Sequence, residues 1–232
     1  VSYYRLTPDR NQGAGFRAFS FLGIPVYIEF GFVLFIAIIF LIYSGEGGLN
    51  AATIGLWCVA MFFSLLVHEF GHALTAKAVG CDGIRVALRM FGGYATFSPT
   101  SRGRSLLITI AGPSAGLILG ALCWLLLARG GRLLEIGAEG AMISFLGAMV
   151  FINIFWSIFN MIPIIPMDGG WTLFYSLSYL TAPDRAMAWA ARVSLAMCVA
   201  VGAFAFAKGF PFVALFCFFF FMDNMRILQS SG

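Results

Sequence analysis

Charge is what this sequence has least of. Of its 232 residues only 10% are charged, where an ordinary soluble domain carries about 25%. Hydrophobic residues make up 61% of the chain, and the mean hydropathy is +0.94. A soluble fold cannot hide that much apolar surface, so an integral membrane protein is expected, with the lipid bilayer as its immediate partner. Long unbroken apolar runs also argue against a barrel, whose strands alternate polar and apolar residues over about 10 positions. Cysteine is sparse and scattered: Cys58, Cys81, Cys123, Cys198 and Cys217 form no CxxC pair. An odd, dispersed set reads as small packing residues rather than a disulfide framework or a site built of thiolates. The pI of about 8.9 is then a matter of membrane topology, and no nucleic-acid partner is expected. Internal repeats, charged linkers and low-complexity segments are missing as well. One domain over 1–232 is therefore expected, with a core at 21–180 and additional helices within 186–228.

What is present is a series of apolar stretches near the roughly 20 residues that a helix needs to cross a bilayer. They run over 24–43, 51–79, 105–128, 141–161, 186–207 and 209–228, giving an all-α membrane protein of about six spans. The first run continues to spanning length and so is expected to be a span, not a cleaved leader. The last two are divided by Lys208, Gly209 and Pro211. Two segments between spans differ from the rest. DGIRVALRMFGGYATFSPT, 82–100, is β-branched and aromatic with a Gly-Gly break, which predicts a short membrane-associated hairpin. The 162–185 segment holds Pro163, Pro166, Asp168 and two glycines.

Basic residues set the orientation. With six spans, one side holds Arg5, Arg10, Arg17, Lys77, Arg85, Arg89, Arg102, Arg104, Arg185 and Arg226, with Arg192 just inside the fifth span. The other side holds Arg129, Arg132 and Lys208. Both termini are expected in the cytoplasm, and the plasma (inner) membrane is the expected location.

The chain has two histidines, and both fall in the second span, in MFFSLLVHEFGHALTAKAVG at 61–80. His68 and His72 are four apart, on one helix face about one turn from each other, where two imidazoles can bind one divalent metal. Glu69 lies about 100° around the helix, near the metal but off the ligand row. There it can take a proton from water and pass it to a leaving amine, which is the logic of the HExxH zinc hydrolases. Five-residue motifs do arise by chance. Ionisable groups inside a span are costly, however, and are usually retained for function. A metal or haem site without hydrolysis is the surviving alternative.

Catalytic zinc usually takes three protein ligands and keeps one position open. With no third histidine, the remaining ligand is a carboxylate or a thiolate. The carboxylates near spans are Glu29, Glu46, Asp82, Glu135, Glu139, Asp168, Asp184 and Asp223. Asp168 is the best candidate. It lies in NMIPIIPMDGG, 160–170, where prolines break the fourth span on the cytoplasmic side. The histidines sit roughly 10–15 Å before the cytoplasmic end of theirs at about 1.5 Å per residue, so the site is expected nearer that side. An ordinary Pro/Gly loop is the competing reading of 160–170.

Together the two motifs resemble the site-2 protease family of intramembrane zinc metalloproteases, in which HExxH lies on a core helix and a later NxxPxPxxDG supplies an aspartate. HEFGH matches in full. The second motif matches at Asn160, Pro163, Asp168 and Gly169, with Ile165 where the second proline is usual and Pro166 beside it. FLGIPVYIEFGFVLF (21–35), RMFGGYATF (89–97) and AGPSAG (111–116) resemble further family elements, although Gly116 stands where asparagine is common. The likeness covers most of 21–170. No PDZ insertion separates the motifs and no CBS pair follows them, so a compact member is expected.

The resemblance implies one Zn2+ per chain held by His68, His72 and Asp168, with Glu69 as general base and acid. It implies that Asn160 orients the substrate or stabilises the oxyanion; a helix cap or loop hydrogen bond is the plainer role. Gly92, Gly93 and Tyr94 are candidate substrate contacts, as are Phe91 and Trp171, although a backbone turn, core packing or lipid contact would equally account for them. The expected activity is hydrolysis of peptide bonds within or near transmembrane segments of another membrane protein, in regulated intramembrane proteolysis or clearance of signal-peptide remnants. Two other readings are open. A metal transporter or sensor would continue polar residues across both halves of the membrane, yet the spans after 186 carry little beyond Arg192 and Ser194. A catalytically inactive relative that binds membrane proteins would not need every motif residue intact. Neither substrate identity nor oligomeric state is written in the sequence.

Overall fold

The computed structural model describes residues 15–43, 50–90, 92–130 and 139–230. Arg5, Arg10, Glu46, Phe91, Arg132 and Glu135, named above, lie outside the described residues. The order is β1 (Gly15–Phe21), β2 (Ile24–Glu29), α1 (Phe30–Tyr43), α2 (Ala51–Ala78), β3 (Arg85–Arg89), β4 (Gly92–Thr96), α3 (Arg102–Gly130), α4 (Glu139–Asn160), α5 (Asp168–Leu177), α6 (Pro183–Ala207) and α7 (Pro211–Ser230).

Among the described residues five helices are long and apolar enough to cross a membrane: Ala51–Ala78, Arg102–Arg129, Gly140–Asn160, Pro183–Ala207 and Pro211–Ser230. Their outer faces carry large exposed apolar side chains such as Phe151, Trp124, Phe204 and Phe218, the surface that lipid tails cover. The first expected span, 24–43, is not one helix. Its opening residues form strand β2, and only the 14 residues of α1 are helical. At 1.5 Å per residue α1 is about 21 Å long, short of a bilayer's hydrocarbon core of about 30 Å. Hydropathy alone cannot make this distinction, because a buried strand and a buried helix are equally apolar.

The chain forms two compact units. In the first, which contains the described residues 15–99 and Ala111–Ser157, the sheet has the order β1-β2-β3-β4. A two-residue turn at Leu22 and Gly23, both with positive φ, joins β1 to β2 as the twist of a hairpin requires. Lys77 of α2 donates to the Leu22 carbonyl at 2.7 Å. β2 runs parallel to β3, with Val26 opposite Val86 and Ile28 opposite Leu88. A parallel pair needs a long crossover, and here α1 and α2 supply it. The expected hairpin exists as β3 and β4, antiparallel from Arg85↔Thr96 to Arg89↔Gly92, but as half of a larger sheet. Ile24, Val26, Val86 and Ala95 pack on Phe70 and Ala73 of α2, which lays the sheet against the helix beside its histidines.

α2 starts at Asn50, whose side chain accepts from the Thr53 N–H at 2.8 Å, a regular N-cap. Within the same unit α2 and α3 approach closely. A Cβ on Gly71 would collide with the Ala111 carbonyl and with Ala115.

The second unit contains Thr100–Ile110 and the chain from Ile158 onward. Ile165, Trp171, Phe174 and Tyr175 pack on Ala186, Met187 and Ala190 of α6, so the apolar stripe of α5 is buried against that helix. Gly209, at φ +78°, lets the chain reverse between α6 and α7, and Pro211 opens α7 where a missing N–H costs nothing. All five cysteines are free, and only Cys58 is not buried, in keeping with their reading as packing residues.

Candidate metal centre

His68, Glu69 and His72 lie in the second half of α2 and are 3%, 4% and 1% exposed. The helical repeat sets the two imidazoles on one face, and their Nε2 atoms are 3.3 Å apart with ring planes at 81°. Asp168 opens α5 and is 3% exposed. One ligand atom from each of His68, His72 and Asp168 lies within 4.8 Å of the others.

This donor set fits zinc. Two ligands bound tetrahedrally at about 2.0–2.1 Å stand about 3.3–3.4 Å apart, the spacing of the two Nε2 atoms. The space around the site is also cut for imidazole and carboxylate. A Cβ on Gly112 of α3 would overlap the His72 ring, and one on Gly93 of β4 would overlap the Glu69 side chain. The bare backbone at these two positions gives His72 and Glu69 their room.

The remaining candidates divide. Gly93 lies beside Glu69, while a Cβ on Gly92 would meet Trp156 at 3.2 Å. Successive strand residues point to opposite faces, and Tyr94 accordingly turns away from Glu69. Its hydroxyl donates to Glu29 Oε1 at 3.1 Å, and the Arg89 guanidinium lies 4.4 Å from its ring centroid. Burial, followed by the Glu29 charge, pushes the Tyr94 phenol above its ordinary value, with Arg89 opposing. Trp171 is 6% exposed in the α5–α6 core, the packing role. Asn160 is the half-buried last residue of α4.

Polar residues that no motif marks also line the helix packing. Asn153 of α4 donates to Ser64 Oγ at 2.8 Å and to the Met149 carbonyl at 2.8 Å, joining α4 to α2 one turn before His68. Ser157, one turn further along α4, is 1% exposed. A search for carboxylates and imidazoles passes over amides and hydroxyls. The available signal was an asparagine in the middle of an apolar span, where a polar group is expensive.

A helical membrane protein with a small sheet packed against a helix, and a buried His-His-Asp cluster beside a glutamate, is thus the class that the coordinates define. The sequence matches the model of Peptidase family M50 over residues 56–134 and 131–201, and the chain belongs to that family. It is 28% identical over 154 residues to a zinc metalloprotease of Methanocaldococcus jannaschii, covering 66% of this chain and 43% of the relative. A candidate zinc metalloprotease of Synechocystis is 30% identical over 164 residues, covering 66% of this chain and 42% of that protein. The chain spans less than half the length of these two relatives. The solved site-2 protease from Methanocaldococcus jannaschii has a similar fold, with a TM-score of 0.66 at 24% identity over 92% of this chain and 95% of that one.

Proposed function

We propose that this chain is an intramembrane zinc metalloprotease that cleaves peptide bonds within or near the membrane spans of other proteins. One observation carries the reading: three buried ligand atoms within 4.8 Å of one another, two of them on an apolar helix of spanning length with Glu69 between. An imidazole pair and two carboxylates buried together among apolar helices are costly, and a bound zinc offsets that cost. The family of the chain and the zinc metalloprotease relatives favour the same conclusion.

His68, His72 and Asp168 hold the zinc. When bound, zinc supplies Lewis-acid polarisation of the scissile carbonyl and makes water at the site a stronger acid. Glu69 accepts the proton that water gives up as its oxygen joins the carbonyl carbon. Glu69 then returns that proton to the departing nitrogen as the C–N bond breaks, so the carboxylate ends as it began. The Asn160 amide donates a hydrogen bond to the carbonyl oxygen as negative charge builds there. A substrate helix satisfies its own backbone and must unwind locally before it can be cut. Strand β4, at the edge of the sheet, runs against Glu69 at Gly93, and an unwound segment adds to that edge beside the base. The site lies nearer the cytoplasmic face, the side of Lys77, Arg85, Arg89, Arg102, Arg104 and Arg185, and water reaches it from there.

The test uses purified chain and a panel of single-span membrane proteins. Glu69→Gln is expected to keep about one zinc per chain and to lose cleavage, since general acid–base catalysis alone contributes about 10²–10⁴-fold. Cleavage by Glu69→Gln at the wild-type rate would exclude the mechanism. Bound zinc without cleavage by the wild-type chain would favour a metal sensor or an inactive relative.

A further inference from the structure

The segment Met161–Met167, between α4 and α5, has little freedom to satisfy its own backbone. Pro163 and Pro166 have no N–H to give. The N–H groups of Met161, Ile162, Ile164 and Met167 close tight turns onto the carbonyls of Ile158, Phe159, Ile162 and Ile164. Ile165 differs. It is 4% exposed, and both of its peptide groups are met by side chains from helices far along the chain. Its N–H donates to Ser194 Oγ of α6 at 2.9 Å, and its carbonyl accepts from Asn224 Nδ2 of α7 at 2.7 Å.

Ser194 and Asn224 are both fully buried, and each is fixed by a second bond. The Ser194 hydroxyl donates to the Ala190 carbonyl at 2.9 Å, with the Pro163 carbonyl at 3.3 Å. The other Asn224 amide proton goes to the Phe220 carbonyl at 2.8 Å. These two donations set the orientation of the amide, because turning it over would aim Oδ1 at two carbonyl oxygens. Among the described residues Oδ1 itself has no hydrogen-bond partner despite its burial. Such a group is costly, and a leucine would pack in the same space without that cost. What leucine cannot supply is the N–H that holds Ile165.

The held peptide is joined to Asp168 by a stiff connection. Pro166 and Met167 lead directly into the first turn of α5. That turn nests on the segment itself: a Cβ on Gly169 would strike the Met161 and Ile162 carbonyls, and one on Gly170 the backbone of Ile164 and Ile165. The start of the helix and the segment before it therefore move together, and a bond at Ile165 fixes the carboxylate three residues later.

We infer that Ser194 and Asn224 are positioning residues for the third metal ligand, acting on Asp168 through the Ile165 peptide. The inference rests on the metal-site reading above, and it makes α6 and α7 part of the metal-binding apparatus. Outer-shell partners of a metal site, when removed, typically lower metal affinity by about 10–100-fold, and that range is expected for Asn224→Leu and for Ser194→Ala. The readouts are the apparent zinc Kd of the whole purified chain, by competition with a chromophoric chelator, and the visible spectrum of the cobalt-loaded protein. Both variants should weaken zinc binding and alter the cobalt bands, and Ser194→Thr, which keeps a hydroxyl, should restore both. Should Asn224→Leu fail to fold, Ser194→Ala and Ser194→Thr decide the matter. A purely structural role would lower thermal stability and leave the Kd and the cobalt spectrum unchanged; that result overturns the inference. Asp168→Ala separates the two levels. If it leaves zinc affinity intact, the metal-site reading fails, whereas if it abolishes affinity while Ser194→Ala does not lower it, only the positioning role fails.

Discussion

The two histidines and the aspartate of the candidate centre reach their positions by opposite means. His68 and His72 are one turn apart on a continuous helix of 28 residues, so helix geometry alone brings their Nε2 atoms to 3.3 Å. Their local needs are negative ones: bare backbone at Gly112, beside His72, and at Gly93, beside the intervening Glu69. Asp168 follows a proline-interrupted segment whose Ile165 peptide borrows both of its hydrogen bonds from Ser194 and Asn224. A pair of ligands fixed by one helix asks of its neighbours only that they leave it space. A ligand fixed from a distance transmits every disturbance of its supports.

This contrast can be broken from either side. The largest effect is expected from His72→Ala, which removes a proposed ligand outright and should lower zinc affinity by more than the roughly 10–100-fold of an outer-shell change; equilibrium dialysis with zinc measures it. Gly112→Ala comes next. Alanine in place of glycine gains about 1 kcal/mol of helix propensity, but here the new methyl overlaps the His72 ring, and overpacking costs about 1–3 kcal/mol. The variant should melt at a lower temperature and bind zinc less tightly, in contrast to the usual stabilisation by such a change.

A smaller effect is expected at Asn153, whose carboxamide bridges α4 to Ser64 of α2. Polar contacts between membrane helices are worth roughly 0.6–1.7 kcal/mol, and a double-mutant cycle of Asn153→Ala with Ser64→Ala should return a coupling in that range. Tyr94→Phe is expected to matter least. It removes one half-buried bond to Glu29 on the strand face opposite Glu69; the loss of about 0.5–1.5 kcal/mol falls on stability and not on the reaction, so kcat/KM should stay within about threefold of wild type. A tenfold loss confined to KM would instead make Tyr94 a substrate contact.

The same contrast governs what the sequence could disclose. HEFGH was legible because ligand spacing and helical repeat are one pattern, read within five residues. Asp168 was legible as a candidate because prolines and glycines mark an interrupted span. The residues that hold it were not, since a lone serine and a lone asparagine in apolar helices carry no spacing signal, and their partner Ile165 lies far away in the chain. Strand β2 was hidden for another reason. Its buried Ile24 and Val26 read as the beginning of a span, and only pairing with β1 and β3 gives the segment away as sheet. The Gly-Gly hairpin was visible from its composition, but the two strands that extend it to four were not.

The central claim is that His68, His72 and Asp168 together hold one zinc ion. Zinc-edge X-ray absorption on the purified, zinc-loaded chain, beside Asp168→Ala, tests it most directly. The account predicts about one zinc per chain, two imidazoles and oxygen ligands at about 2.0–2.2 Å and no sulfur, with one oxygen ligand lost or exchanged for water in the variant. Sulfur at about 2.3 Å, or a variant whose metal shell and zinc content match the wild type, would contradict it.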